Sequence, residues 1–169
     1  MDSREGVAIE ICERPTGRVA EGIMSIINDL TGEWFTEDVA EATRRDLLFH
    51  DVICAWHEGR VRSFIMFTSH DGALHITLMG TSPQYRGRGL GSALMERLVT
   101  HARDLGFGEI VAFTVPPASR PAYGATVAFY QKHGFRIVQE HGELWQSGAW
   151  ELRRSLPGDD RQPLGAAAE

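Results

Sequence analysis

The chain has 169 residues, 43% hydrophobic and 24% charged, enough for a single globular domain with a full core. A formal net charge of −6 at pH 7 disfavours a sequence-independent grip on nucleic acid and is compatible with a cationic small substrate. No apolar run approaches the roughly 20 residues that span a bilayer, and no basic-then-apolar leader opens the chain, so a cytoplasmic protein with no membrane partner is expected.

Residues 7–13 read as a short strand ended by Pro15. Val19, Ile23, Ile26, Ile27 and Leu30 recur at helical spacing. Gly32-Glu-Trp-Phe35 then interrupts the pattern. Thr36 is a fitting N-cap for a second helix through residue 48, with Glu37 and Asp38 in its first turn. Residues 52–57 and 61–68, rich in β-formers, are predicted to form a hairpin around Glu58-Gly59-Arg60. The turn His70-Asp71-Gly72 leads into a strand at 74–81. A helix over 90–105 packs through Leu90, Leu94, Leu98, Ala102 and Leu105, with Gly106 as its natural C-cap. A strand at 109–115 is stopped by Pro116-Pro117. A helix over 122–132 ends at Gly134, and 135–140 and 150–156 read as the last strands. The expectation is one domain over 1–156 and a disordered tail over 157–169, which is rich in Pro, Gly, Ala and charge. Cys12 and Cys54 lack CxxC spacing and a neighbouring His pair, so buried reduced thiols are expected in place of a disulfide, and no metal.

The most informative stretch is Thr81-Ser-Pro-Gln-Tyr-Arg-Gly-Arg-Gly-Leu-Gly-Ser92, between the strand at 74–81 and the helix at 90–105. Such a turn leaves amides unpaired at a helix start, where the dipole and the side chains of Arg86 and Arg88 favour an anion. A Walker-type loop needs Gly-Lys-Ser/Thr, yet the only lysine is Lys132. The dinucleotide fingerprint fits at Gly87 and Gly89 but puts Ser92 at its third glycine, and no acidic residue ends the following strand. The third reading is Arg/Gln-x-x-Gly-x-Gly/Ala, filled by Arg86, Gly89 and Gly91. A tight strand–helix turn with no ligand is the bland alternative.

A second stretch, Ala125-Thr-Val-Ala-Phe-Tyr-Gln-Lys-His-Gly-Phe135, is similar to the pattern Ala-x-x-Phe-Tyr-x-x-x-Gly-Phe. In this order the two resemble the GNAT acyltransferase superfamily over residues 74–140. The resemblance implies a mixed α/β (α+β) fold: a mostly antiparallel sheet of six to seven strands with a parallel splayed pair at the coenzyme site, flanked by about four helices. It implies acetyl-coenzyme A as cosubstrate, with contacts from Met79, Gly80, Thr81, Arg86, Gly87, Arg88, Gly89, Leu90, Gly91 and Ser92. It implies direct transfer of the acetyl group to a primary amine of a small molecule in a ternary complex. A non-catalytic acyl-coenzyme A-binding regulatory module, or a protein lysine or N-terminal acetyltransferase, is the alternative.

By the same resemblance Tyr130 supplies the proton for the departing thiolate; packing with Phe129 is the alternative role. His75, read by strand alternation as sharing a face with Thr77 and Met79, and Glu33 are the two candidate bases. Trp34 and Phe35 are the candidate acceptor wall, although both also suit a staple between helices. Many GNAT proteins are dimers, and a homodimer is left open. The sequence departs from the family at Tyr123, where Asn is common, and at Thr126, where a small Ala is common.

Overall fold

The computed structural model describes residues 5–157, so the expectation for the tail beyond Pro157 lies outside the described residues. Seven strands form one sheet: β1 (Ala8–Cys12), β2 (Asp51–His57), β3 (Arg60–His70), β4 (Ala73–Thr81), β5 (Glu109–Thr114), β6 (Arg136–His141) and β7 (Ala149–Ser155). Their spatial order is β1-β2-β3-β4-β5-β7-β6. Every neighbouring pair is antiparallel except β4 and β5. The helices are α1 (Gly17–Leu30), α2 (Asp38–Asp46), α3 (Leu90–Asp104) and α4 (Gly124–Lys132). This is the mixed sheet with one parallel pair that the sequence implied.

β2 and β3 are apolar without alternation because both of their faces are covered. Val52, Cys54, Phe64 and Met66 pack with Ile23, Ile26, Ile27 and Leu30 of α1. Their alternates Ile53, Ala55, Ile65 and Phe67 pack with Leu90, Leu94 and Leu98 of α3. The 3.6-residue spacing in α1 and α3 thus meets the two-residue period of the strands on opposite sides. Each fully buried Ile or Leu in these layers contributes roughly 1.5–3 kcal/mol relative to exposure.

Two features of β4 position the site. Its parallel pairing with β5 runs from Leu74–Ile110 to Ile76–Ala112 and stops there, so the ends of the two strands part. Its register against β3 also shifts, with Met66 opposite Leu78 but Phe67 opposite Ile76, which leaves Thr77 as an extra residue. Such a bulge re-aims every side chain after it. Leu74, Ile76 and Met79 consequently belong to the α3 side, and Leu78 to the α1 side.

Some boundaries differ from expectation. Thr36 makes no side-chain cap; α2 starts at Asp38, and the Thr36 carbonyl accepts from Val39 N–H at 3.2 Å, a tighter first turn. The helix at 122–132 opens as a 3₁₀ turn, Pro121–Tyr123, before α4. Cys54 is buried, which pushes its thiol pKa up, whereas Cys12 is only half-buried. Both are free thiols.

Candidate active site

The strand-to-helix turn is shaped by two left-handed residues, Gly87 at φ 73° and Gly89 at φ 75°. A side chain at either position would be penalised. Gly89 is also the N-cap of α3, and no side chain caps that helix. The first intrahelical bond runs from Ala93 N–H to the Gly89 carbonyl at 3.1 Å. The amides of Leu90, Gly91 and Ser92 therefore project from the helix end, where the dipole of a 15-residue helix adds positive potential. The Ser92 hydroxyl lies 3.0 Å from His133 Nε2 on the end of α4. Burial first, and the Lys132 charge next, push the His133 pKa down.

The two arginines of the turn go different ways. Arg88 lies over the Tyr85 ring at 4.7 Å, as does Arg62, and the Tyr85 hydroxyl meets His57 Nδ1 at 2.8 Å. Arg86 instead reaches the connection between α1 and α2.

On the α3 side, the parted strand ends meet Tyr130 of α4. Its hydroxyl donates to Met79 Sδ at 3.4 Å. The residue is 3% exposed, and burial pushes its phenol pKa up, so the group stays protonated. Its ring also packs edge-on against Phe129 and Phe135, with centroids 5.7 and 5.1 Å away. A hydroxyl that donates to a sulfur and a ring that packs in the core thus coexist in one side chain. A Cβ at Gly80 would lie 3.1 Å from both Leu30 Cδ1 and Phe64 Cε1, so its missing side chain admits the α1-side core. The hydroxyl of Thr81 meets Ser63 at 2.8 Å.

On the other side of the sheet, the α1–α2 connection closes over the same strand ends. The Glu33 carboxylate stands 3.7 Å from the Arg86 guanidinium, which also lies 5.1 Å over the Trp34 ring. Two residues that sequence reasoning missed hold this connection from behind. Tyr123 donates its hydroxyl to the Trp34 carbonyl at 2.7 Å, and Arg120 donates to the Glu33 carbonyl at 2.6 Å. The Tyr123 ring meets Trp34 edge-on at 5.4 Å. The departure from the family's Asn was the available signal at Tyr123; nothing local marked Arg120. Trp34 Nε1 is buried with no hydrogen-bond partner among the described residues.

Two of the site residues expected from the sequence are placed differently. Phe35 packs with the α1-side core, and its amide and that of Trp34 share the Leu30 carbonyl at 3.1 and 3.0 Å, so it is a staple and not an open wall. His75 does not share a face with Met79, because the extra residue Thr77 lies between them and inverts the alternation. It meets His70 edge-on near the β3–β4 turn with centroids 5.6 Å apart. Gly80 is five residues further on, roughly 16 Å along an extended strand. The structure therefore gathers Glu33, Trp34, Met79, Arg86 and Tyr130 around the strand ends and leaves His75 below them. A groove of about 770 Å³ between α1 and α2, lined by residues such as Met24, Asn28, Arg44 and Leu47, takes no residue from β4, α3 or α4.

Comparisons with known proteins agree with this geometry. The acetyltransferase (GNAT) family profile matches residues 21–135. A mycothiol acetyltransferase from Corynebacterium glutamicum is 32% identical over 112 residues, which are 65% of this chain and 37% of the relative. The chain therefore spans little more than a third of that relative's length. A GNAT family acetyltransferase from Elizabethkingia anophelis, with acetyl-CoA bound, is similar in fold at a TM-score of 0.70 and 14% identity, covering 90% of this chain and 99% of that one. The PaiA N-acetyltransferase from Thermoplasma acidophilum, in complex with coenzyme A, gives a TM-score of 0.68 and 16% identity, covering 88% and 99%. With the family profile spanning the glycine turn, the parted strands and α4 alike, the chain belongs to the acetyltransferase (GNAT) family.

Proposed function

We propose that the protein transfers the acetyl group of acetyl-coenzyme A to a primary amine of a small molecule, by direct attack in a ternary complex. The observation that carries this reading is the meeting of three parts at one place. Uncapped amides at the start of α3, the gap where β4 and β5 part, and a buried protonated phenol already donating to a sulfur all lie there. The diphosphate of the coenzyme rests on the amides of residues 87–92, where several N–H groups share its charge. Its pantetheine arm runs into the gap and pairs with the free edge of β4 at Met79, Gly80 and Thr81. Coenzyme-bound members of the fold support the donor, and the acetyltransferase relative supports the transferred group.

The chemistry follows from what these groups can do. The neutral amine attacks the thioester carbonyl carbon, and its oxygen becomes negative. A β4 backbone N–H directed at that oxygen supplies roughly 2.7–4 kcal/mol, as other oxyanion donors do. When the C–S bond breaks, the thiolate takes a proton from the Tyr130 hydroxyl, the nitrogen, positive after its attack, gives one proton to solvent, and the Tyr130 oxygen regains a proton from solvent. That hydroxyl donates to the thioether of Met79, which supports its reading as a donor to sulfur. Trp34 and Glu33 form the acceptor wall: an apolar ring for the substrate body and a carboxylate for its ammonium group. The protein acts in the cytoplasm, without nucleic acid or membrane.

Mixing the protein with acetyl-coenzyme A and primary amines, and following free thiol together with acetylated amine, tests the reading. Equal release of both supports it. Tight coenzyme binding with no acetylated amine favours a non-catalytic coenzyme-binding module.

A further inference from the structure

A second polar cluster lies on the acceptor side of the sheet. On β5 and β7, Ile110, Ala112 and Leu152 face α3, so Phe113 and its cross-strand partner Glu151 face the opposite side, that of α1 and Trp34. Phe113 follows directly on Ala112, the last β5 residue paired with β4, and so stands at the mouth of the gap. His141, the last residue of β6, shares this face. Its ring lies 5.7 Å from that of Phe113, and its Nε2 is 3.4 Å from Glu151 Oε1. The other Glu151 oxygen accepts from Arg153 Nε at 3.0 Å, and the same guanidinium pairs with Glu109. Glu151 is 13% exposed at its side chain and His141 29%, so the imidazole has an open side where the carboxylate does not. Three loops ring this place. Ser119 Oγ donates to the Ser147 carbonyl at 2.8 Å, joining the β5–α4 and β6–β7 loops, and Arg120 joins the first of these to Glu33.

We propose that His141, oriented by Glu151, is the group that takes the acceptor's proton. This rests on the acetyl transfer proposed above. Nε2 is buried without a hydrogen-bond partner among the described residues and stands 3.4 Å from Glu151 Oε1, an ion pair once the ring is protonated, which leaves Nδ1 as the nitrogen that meets the amine or a water bound to it. A carboxylate on one imidazole nitrogen and proton transfer at the other is a recurrent division of labour. The ammonium N–H gives its proton to Nδ1, directly or through the water. The freed lone pair forms the C–N bond, the C–S bond breaks as the thiolate takes the Tyr130 proton, the nitrogen gives its second proton to solvent to leave a neutral amide, and the imidazolium releases its proton to solvent through its exposed edge. The groups facing His141 are Glu151, with Arg153 and Glu109 behind it on β7 and β5, and the ring of Phe113. One Glu151 oxygen is engaged by Arg153 and the other faces the His141 ring at 3.4 Å, where it attracts the imidazolium that forms, so the carboxylate supports the base and does not replace it.

The test compares wild type, His141→Gln and Glu151→Gln with acetyl-coenzyme A and a panel of phenethylamine, putrescine, glucosamine and lysine amide. With the best amine, kcat for His141→Gln is expected to fall about 10²-fold near neutral pH, with KM for acetyl-coenzyme A unchanged. The deficit narrows to less than about tenfold two units higher, where the amine loses its proton unaided, and Glu151→Gln shows a smaller loss of the same shape, about tenfold. The ratio of alkaline to neutral kcat within each protein is the readout, since a partly unfolded preparation leaves it untouched. Imidazole added to His141→Ala should restore rate, which a packing role does not explain. A ratio for His141→Gln equal to that of wild type overturns the proposal while leaving acetyl transfer standing. A wild type that binds acetyl-coenzyme A and acetylates no amine overturns both.

Discussion

Tyr130 unites two demands that usually compete. Its ring is part of the α3-side core, yet its hydroxyl reaches the gap between β4 and β5 through the Met79 sulfur. Removing only the hydroxyl separates them. Tyr130→Phe is expected to lower kcat by about 10²-fold with little change in KM for acetyl-coenzyme A, measured by thiol release. The sign of its pH linkage is also fixed. Burial raises the folded pKa, so the stabilisation is complete below the ordinary phenol value of about 10 and is lost as pH rises beyond it. Denaturant midpoints followed above that pH should fall faster for wild type than for Tyr130→Phe; parallel curves would contradict the burial argument. His133 carries the opposite linkage. Its folded pKa is depressed, chiefly by burial, so its contribution is present above about pH 6.5 and lost in acid. His133→Gln should therefore flatten the acid limb of the stability profile.

Between elements, the proposed acceptor wall depends on bonds that cross the fold. Tyr123, just ahead of α4, holds the carbonyl of Trp34, which follows α1. One such hydrogen bond is worth about 1 kcal/mol, so Tyr123→Phe should raise the acceptor KM by about fivefold and leave coenzyme affinity unchanged in a titration. At the other edge, α1 and β4 are close enough that Gly80→Ala forces Leu30 and Phe64 apart. Overpacking of that kind costs about 1–3 kcal/mol and should appear as a lower denaturant midpoint. Periodicity made α1, α3 and the β2–β3 pair legible in the sequence, because each buries a long regular face. The extra residue at Thr77 was not legible. A bulge arises from how β4 pairs with β3, and no local residue type announces it, which is why alternation carried His75 to the wrong face. Thr36 failed as a cap because the chain enters α2 through a tighter turn, closed from Val39 N–H to the Thr36 carbonyl, while the Thr36 hydroxyl donates to the Asp38 carboxylate.

Across the whole molecule, the proposed coenzyme side and the proposed acceptor side of the sheet differ in how much sequence reveals them. The coenzyme side is local: Gly87, Gly89, Gly91 and Tyr130 sit in two short motifs whose spacing is dictated by backbone geometry. The acceptor side is assembled from residues far apart in the chain, with Glu33, Arg86, Arg120 and Tyr123 meeting only after folding. Glu151 and His141 belong to this second kind, since their pairing depends on the register of β6 against β7. Among the described residues no helix is long and apolar enough to cross a membrane, and no group of three His, Cys, Asp or Glu side chains is placed to hold a metal ion.

The decisive measurement is calorimetric titration of acetyl-coenzyme A into wild type and into Gly89→Val, followed by thiol release on the amine panel. A β-branched residue is penalised at φ 75°, so the variant should distort the start of α3 and lose coenzyme affinity by at least about tenfold, while wild type binds and acetylates an amine. Equal affinity in a folded variant would mean that the diphosphate rests elsewhere, and the proposed acetyl transfer would lose its foundation.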